Sequence, residues 1–139
     1  MSDPIPPRNS AMAVAASALK AQQSRMRVIA ENIANAQSTA DVAGGQPYRR
    51  QIPVFQAREI NGATGVALAE VRVDQGDFRS EYDPSHPAAN AEGYVLRPNV
   101  DTLVEAMDMR EAQRAYEANL NVIETARAMD ARILDLLKK

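Results

Sequence analysis

The chain has 139 residues, a formal net charge of −2 and no cysteine. A chain of this length usually forms one domain, and the lack of a basic surplus argues against nucleic-acid binding. The absence of cysteine excludes disulfides and thiolate metal sites. No apolar run approaches the roughly 20 residues that a helix needs to cross a bilayer, so the sequence predicts no transmembrane segment.

Glycine and proline are concentrated in the middle of the chain. All six Gly and five of the eight Pro lie between residues 44 and 98, and the other three Pro lie in the first nine residues. The fold class predicted is α+β, with long N- and C-terminal helices that pair as an α-helical coiled coil and a small β-rich insert between them. The predicted boundaries are 1–9 for a flexible tip, 10–36 for the first helix, 37–98 for the insert and 99–139 for the second helix.

The N-terminal helix is predicted from a stripe of residues at spacings of three and four. This stripe comprises Met12, Ala15, Leu19, Gln22, Met26, Ile29 and Ile33. Because the stripe is narrow and includes small Ala15 and polar Gln22, it suits the pairing of long helices better than the covering of a globular core. The helix is expected to end near Asn35, since Asn tolerates the left-handed conformation of a C-terminal cap. Asn32 and Asn35 are interpreted as helix-end capping residues and not as ligands.

The C-terminal helix is predicted over Val100–Lys139, which contains no Gly and no Pro. Asn99, Asp101 and Thr102 all offer N-caps at its start, and Thr102 with Glu105 fits a capping box. Its apolar face contains Ala112, Ala115, Tyr116, Val122, Ile123, Ala126, Met129, Ile133 and Leu136. A helix of about 35 residues is roughly 50 Å long, which is too long for the insert to cover, so its partners are the N-terminal helix and other chains. Asn119 either fixes the register between helices in this face or faces water at its edge.

Short strands with turn residues between them are predicted in the insert. They lie at 48–58, 65–74, 78–82 and 93–98. Pro53 restricts the first to an edge strand or a bulge. His86, the single histidine, lies near Asp83, a pairing that would allow a general base oriented by a carboxylate. No nucleophile motif, phosphate loop or ligand cluster accompanies it, so His86 is interpreted as a turn residue, and no catalytic, metal or cofactor site is predicted.

Several segments resemble the bacterial flagellar rod and hook proteins. Residues 22–36, with the sequence QQSRMRVIAENIANA, are similar to the N-terminal signature of that family. The features that narrow the resemblance to the proximal rod proteins are GQPYRR at 45–50, YDPSHP at 82–87, GYV at 93–95 leading into PNVD at 98–101, and RAYEAN at 114–119. The chain departs from the family at Ser17-Ala18-Leu19, where Ser-Gly-Met is usual, and in its proline-rich start, where the family has an aromatic residue.

The resemblance implies a structural subunit of the flagellar basal-body rod, and not an enzyme, that transmits torque along the axis. Its terminal helices would form a coiled coil lining the rod, with the insert facing outward. The implied partners are copies of the chain, other proximal and distal rod proteins, the rod-base protein and the flagellar type III export apparatus. The implied location is the periplasmic rod, reached without a cleaved signal peptide. The Ala11–Leu19 run agrees with this route because it lacks the Leu-rich centre of a secretion signal.

Residues of the two helical stripes are the predicted subunit interface. They are Leu19, Gln22, Met26, Ile29, Asn32, Ile33, Asn35, Tyr116, Asn119, Val122, Ile123, Met129, Ile133 and Leu136. Three alternatives stay open at this point: another flagellar axial protein, such as the partner proximal or a distal rod subunit, a soluble coiled-coil adaptor, and a small enzyme centred on His86. Distal rod proteins are usually longer, so the length of the chain favours a proximal rod protein.

Overall fold

A computed structural model describes residues 8–138 of the chain, with side chains described from Ser10 to Lys138. The elements in chain order are helix α1 (Arg8–Ala34), strands β1 (Gln51–Ile60), β2 (Ala63–Val73), β3 (Arg79–Tyr82) and β4 (Tyr94–Arg97), and helix α2 (Thr102–Leu137). Two long helices therefore flank a small antiparallel insert, and the predicted α+β class is confirmed. The predicted flexible tip at residues 1–9 lies mostly outside the described residues.

Strands β1 and β2 form a long antiparallel hairpin with a two-residue turn. Both turn residues have positive φ, 50° at Asn61 and 83° at Gly62, as a type I′ turn requires. This turn suits a hairpin because its twist matches the right-handed twist of the strands. The register of the pair shifts between Val54 and Phe55, directly after Pro53, so the predicted irregularity at this proline is confirmed.

Two serines of α1 hold the β1–β2 hairpin against the helix. The hydroxyl of Ser10 donates to the carbonyl of Asn61 at 2.6 Å, and the hydroxyl of Ser17 accepts from the amide of Val66 at 3.2 Å. Gly65 permits this close approach, because a Cβ at this position would lie 2.8 Å from the Ser17 Oγ. The hairpin is therefore fixed to α1 both at its turn and within β2.

Strands β3 and β4 form a second antiparallel pair, in which Tyr82 lies directly opposite Tyr94. The two rings meet edge to face with their centroids 5.2 Å apart, one of the preferred geometries of an aromatic pair. Arg97 of β4 donates to the carbonyl of Gln37 at 2.9 Å. The segment that leaves α1 is thereby attached to this second sheet.

The two helices run antiparallel. Arg25, in the middle of α1, lies 3.5 Å from Glu111 in α2. Near the end of α1, Asn32 bonds to Gln51, and the preceding residue, Arg50, pairs with Glu105 at the start of α2. The helices contain 27 and 36 residues, which at about 1.5 Å per residue gives lengths of roughly 40 and 54 Å. The C-terminal part of α2 therefore extends about 14 Å beyond the first residue of α1. Neither described helix is long and apolar enough to cross a membrane.

The buried apolar residues are small and lie mainly where α1 meets α2 and the hairpin. They are Ala15, Ala21, Val28, Ile29, Ala36, Ala88, Val95, Val100 and Ala112. Alanine allows helices and strands to approach closely, but each alanine removes little apolar area from water. Contacts between polar groups of different elements therefore contribute much of what fixes the arrangement.

The start of α2 agrees with one of the three predicted N-caps and differs from the predicted capping box. Its N-cap is Asp101, whose Oδ1 accepts from the amide of Leu103 at 3.0 Å. The predicted capping box of Thr102 and Glu105 is wrong, because the Glu105 side chain is buried against Arg50 and does not turn back to the helix start. The carboxylate of Glu105, which the local sequence pattern assigned to the cap, instead pairs with Arg50.

The end of α1 also differs from the prediction. The helix ends at Ala34, but Asn35 does not have positive φ, so the predicted left-handed cap is wrong. The Nδ2 of Asn35 instead donates to the carbonyl of Glu31 at 2.9 Å, which satisfies a group of the last turn. Asn35 is therefore a helix-end capping residue, as predicted, whereas Asn32 is not, because its side chain binds the backbone of Gln51.

Candidate assembly surfaces

A cluster of buried and half-buried polar residues joins α1, the insert and α2. We call its five residues, Asn32, Tyr48, Arg50, Asn99 and Glu105, the polar junction. Asn32 is 1% exposed and makes three hydrogen bonds. Its Nδ2 donates to the carbonyl of Gln51 at 2.8 Å, and its Oδ1 accepts from the Gln51 amide at 2.9 Å and from the Tyr48 hydroxyl at 2.7 Å. The side chain of Asn32 therefore pairs with the first residue of β1 much as a neighbouring strand does.

Arg50 connects the insert to α2. Its Nε donates to the Oε1 of Glu105, a residue that is 1% exposed, and its terminal nitrogens lie 3.4 Å from Asp74 and 3.8 Å from Asp108. The Arg50 amide donates to the Oδ1 of Asn99 at 2.7 Å. Burial lowers the pKa of Arg50, but the hydrogen bond and charge of Glu105, together with those of Asp74, outweigh this effect and raise its pKa above the usual value. One guanidinium thus fixes the start of β1 to the first turn of α2.

The two residues before Arg50 also join separate elements. Burial, and after it the negative charges of Glu31 and Glu105, raises the pKa of Tyr48 above its usual value, so its hydroxyl remains a hydrogen-bond donor. The guanidinium carbon of Arg49 lies 4.1 Å from the centroid of the Phe78 ring, a cation–π contact. The Tyr48-Arg49-Arg50 segment, which is part of the family resemblance, therefore makes contacts with α1, with Phe78 and with α2. These three residues were predicted to begin the first strand, whereas β1 begins after them, at Gln51.

The predicted interface residues of α1 differ in their exposure. Ile29 and Asn32 are buried within the subunit. The half-buried residues are Leu19, Gln22, Met26 and Asn35. Ile33 is 38% exposed. Only the incompletely buried residues present surface to another chain, and their role as interface residues stays a prediction.

The predicted interface residues of α2 fall on two faces. Those that are half-buried are Tyr116, Asn119, Ile123 and Ile133. The Nδ2 of Asn119 donates to the carbonyl of Ala115 at 2.8 Å, so its amide bonds within its own helix. The exposed ones are Val122, Met129 and Leu136, at 57%, 56% and 72%. These three residues recur every seven positions, and we call them the outer row.

A second apolar cluster is exposed at the start of α2. Leu103, Val104 and Met107 are 69%, 45% and 63% exposed, and they lie on the first turns after the Asp101 cap. Contiguous exposed apolar residues of this size are typical of surfaces that bind other proteins. Both halves of α2 therefore present surfaces suited to neighbouring chains.

The side chains of His86 and Asp83 stabilise a turn. The Nδ1 of His86 accepts from the amide of Ala88 at 3.0 Å, and the Oδ1 of Asp83 accepts from the hydroxyl of Ser85 at 2.9 Å. The prediction of His86 as a turn residue is therefore confirmed. Among the described residues, no group of three or more His, Asp or Glu is placed to hold a metal ion.

Comparison with known families places both terminal helices in one class of protein. The family model described as "Flagella basal body rod protein" matches residues 12–40, and the model described as "Flagellar basal body rod FlgEFG protein C-terminal" matches residues 91–136. These matches cover most of α1 and nearly all of α2. The fold and these matches define the chain as a flagellar basal-body rod protein.

Individual relatives identify the family within that class. The chain is 46% identical over 134 residues to the flagellar basal-body rod protein FlgC of Agrobacterium fabrum, covering 95% of the chain and 96% of that relative. It is 42% identical over 125 residues to FlgC of Escherichia coli, covering 88% and 92%, and 37% identical over 142 residues to FlgC of Bacillus subtilis, covering 90% and 95%. The chain belongs to the FlgC family, and the resemblance to flagellar rod proteins is confirmed.

Proposed function

We propose that this chain is a structural subunit of the flagellar basal-body rod and that it assembles through its two terminal helices. Membership in the FlgC family supports the first part. The observation that supports the second is the outer row, whose Val122, Met129 and Leu136 are 57%, 56% and 72% exposed. Burial of the exposed part of such a side chain against a neighbour stabilises the contact by about 1–2 kcal/mol.

In the rod, α1 and α2 pair as an α-helical coiled coil. Along the inward face of α2, residues at alternating spacings of four and three are all buried or half-buried. They lie at 105, 109, 112, 116, 119, 123, 126, 130 and 133. This alternation is the periodicity of a coiled-coil seam. We assign residues 10–36 and 99–139, which contain the two helices, to the coiled-coil domain. Residues 37–98 form the insert on its outside, and residues 1–9 form the tip.

The proposed neighbours are copies of this chain, other proximal and distal rod subunits and the rod-base protein. The proposed location is the periplasmic rod, where the subunit transmits torque. The chain reaches it through the flagellar type III export apparatus without cleavage of a signal peptide. The small-residue run Ala16-Ser17-Ala18 is where a signal peptidase would cut, and cleavage there would remove Ser10 and Ser17, whose hydroxyls bond to the hairpin. The packing of these residues supports an N-terminus that is kept.

Met129→Asp tests this assembly mode, because it places a charge in the centre of the outer row. A charge buried against an apolar neighbour is costly unless it is paired. We expect the variant chain to be expressed and exported at the wild-type level, to be absent from purified basal bodies and to leave the cells unable to swim. Gln113→Asp is the matched control, since it adds the same charge at an exposed position of α2 away from the outer row. Normal swimming with Met129→Asp would contradict the proposal.

A further inference from the structure

We propose that α1 and the β1–β2 hairpin form a basic groove that binds α2 of a second copy of this chain. The groove has a volume of about 410 Å³ and is lined by Lys20 and Arg27 of α1 and by Arg58 of β1. Ile60 and Leu68 contribute to its apolar floor, and none of its described lining residues is acidic. The inference rests on the proposed rod function, because it requires that copies of the chain are neighbours.

The cations of the groove are available to a partner. Lys20, Arg27 and Arg58 are exposed, and none of them lies within ion-pair distance of an acidic side chain in the described part of the chain. The described arginines that do form ion pairs lie elsewhere: Arg25, Arg50, Arg72 and Arg97. Like charges that face one groove repel one another, so an anion placed between them is favoured. The groove therefore selects an acidic surface with an apolar component.

The acidic surface that matches is present on α2 itself. Helix α1 contains four cationic residues and one acidic residue, whereas α2 contains four cationic and seven acidic residues. Within the described residues, a single ion pair joins the two helices, between Arg25 and Glu111 at 3.5 Å. Part of the charge complementarity between α1 and α2, that of Lys20 and Arg27 with Glu117 and Glu124, is thus unused inside the described part of one subunit. It remains available for α1 of one copy and α2 of another.

The spacing of the charges agrees with this pairing. Glu117 and Glu124 are exposed on α2 and have no ion-pair partner among the described residues. They are seven residues apart, as are Lys20 and Arg27, so both pairs are separated by about 10.5 Å along their helices. Leu120, which is 36% exposed, lies between the two acids and shares their side of the helix. One α2 can therefore place two carboxylates opposite two cations and an apolar side chain over the floor of the groove.

Disulfide cross-linking in assembled basal bodies tests the contact, and the chain has no native cysteine to interfere. An untagged Lys20→Cys copy is expressed together with an epitope-tagged copy that carries either Glu117→Cys or Glu124→Cys. We expect one of the two combinations to give a dimer of a tagged and an untagged chain, and which one does so reports the relative direction of the helices. A tagged Glu92→Cys copy is the control, because Glu92 is exposed in the insert away from both surfaces. It should give no dimer.

The outcomes separate this inference from the function on which it rests. If tagged and untagged chains are both present in basal bodies and neither combination cross-links, the groove does not bind α2 of a second copy. If the tagged wild-type chain is absent from basal bodies, the proposed function fails and the inference fails with it.

Charge reversal gives an independent test. Lys20→Glu with Arg27→Glu should reduce the number of intact basal bodies roughly tenfold or more, because like charges then oppose each other across the contact. Adding Glu117→Lys and Glu124→Lys to the same chain should restore swimming. All four residues are exposed, so the changes should leave the fold of the subunit intact. A loss of swimming without such rescue would mean that the groove binds a different acidic surface and would overturn the proposal.

Discussion

Replacing Asn32 by alanine removes the central hydrogen bonds of the polar junction. The change deletes the bonds to the amide and carbonyl of Gln51, at 2.9 and 2.8 Å, and the bond from the Tyr48 hydroxyl at 2.7 Å. A buried backbone group left without a partner costs about 1–3 kcal/mol. Gln51 is half-buried, so water reaches part of the site and the cost for its two groups lies toward the low end of that range. The two groups of Gln51 therefore cost about 2 kcal/mol and the lost bond to Tyr48 about 1 kcal/mol, so we expect Asn32→Ala to lower the free energy of unfolding by about 3 kcal/mol.

Urea unfolding of the purified chain, followed by far-ultraviolet circular dichroism, measures this free energy. Asn35→Ala is the matched control, since it makes the same change three residues later. The Asn35 amide bonds only to the carbonyl of Glu31 in its own helix end, and this hydrogen bond is exposed to solvent. Its loss should therefore change the free energy by about 0.5 kcal/mol or less.

The comparison between the two asparagines decides the argument. If Asn32→Ala and Asn35→Ala unfold within about 0.5 kcal/mol of each other, the bonds of Asn32 do not hold the insert to α1. Asn32→Asp adds a finer test, because it keeps the acceptors for the Gln51 amide and Tyr48 but loses the donor to the Gln51 carbonyl. It also places a carboxylate in the cluster that contains Glu105. It should destabilise the chain clearly more than Asn35→Ala does.

Close packing, titration and exposure each give one more prediction. Gly65→Ala would place a Cβ 2.5 Å from Cδ1 of Ile60 and 2.8 Å from Oγ of Ser17, so urea unfolding should show a loss of about 1–3 kcal/mol, and an unchanged midpoint would contradict the packing. The pKa of Tyr48 in the folded chain is raised above 10.0, so its contribution to the free energy of unfolding is present below pH 10.0 and is lost as the pH rises through that raised pKa. The free energy of unfolding of Tyr48→Phe should therefore fall less than that of the wild type over the same pH range. Amides of 129–137 should exchange with solvent faster than the rest of α2 in the isolated chain and slow down in basal bodies, and equal exchange along the helix would be the contrary result.

The helices could be predicted from the sequence because their causes are local. Long stretches free of Gly and Pro, with apolar residues at spacings of three and four, gave helices at 10–36 and 99–139, and the structure has Arg8–Ala34 and Thr102–Leu137. The role of Glu105 could not be obtained in this way. Its partner Arg50 is 55 residues away in sequence, and a local pattern carries no information on such a contact.

The strands show where a local signal was present and where none was. The pair Asn61-Gly62 between two apolar runs is a strong hairpin signal, and it would have given the end of β1 and the start of β2. The predicted second strand began at residue 65, whereas β2 begins at Ala63. The start of β1 at Gln51 depends on its pairing with Asn32, 19 residues earlier. No property of the strand itself indicates that pairing.

The faces of the helices were the hardest feature to predict, because inward and outward residues follow the same seven-residue period. Ile123 is half-buried, whereas its neighbour Val122 is 57% exposed, although both have apolar side chains suited to a helix contact. The distribution of charged residues distinguishes the two helices better than the apolar pattern distinguishes their faces. The acidic excess of α2 and the basic excess of α1 are readable in the sequence, but only the structure shows that the cations of the groove are left unpaired.

The distribution of side-chain size along α2 has a consequence for growth of the rod. The residue that packs deepest against α1 is Ala112, at 0% exposure, while Met129, Leu134 and Leu136 are 56%, 59% and 72% exposed. Folding of the single chain therefore removes little apolar area from water in the second half of α2, and association removes more. Because binding to the folded state alone stabilises that state, we infer that the end of α2 becomes fully stable only beside other subunits. Because neighbouring subunits complete the packing of α2, the subunit reaches its final stability only when it has been added to the growing end of the rod.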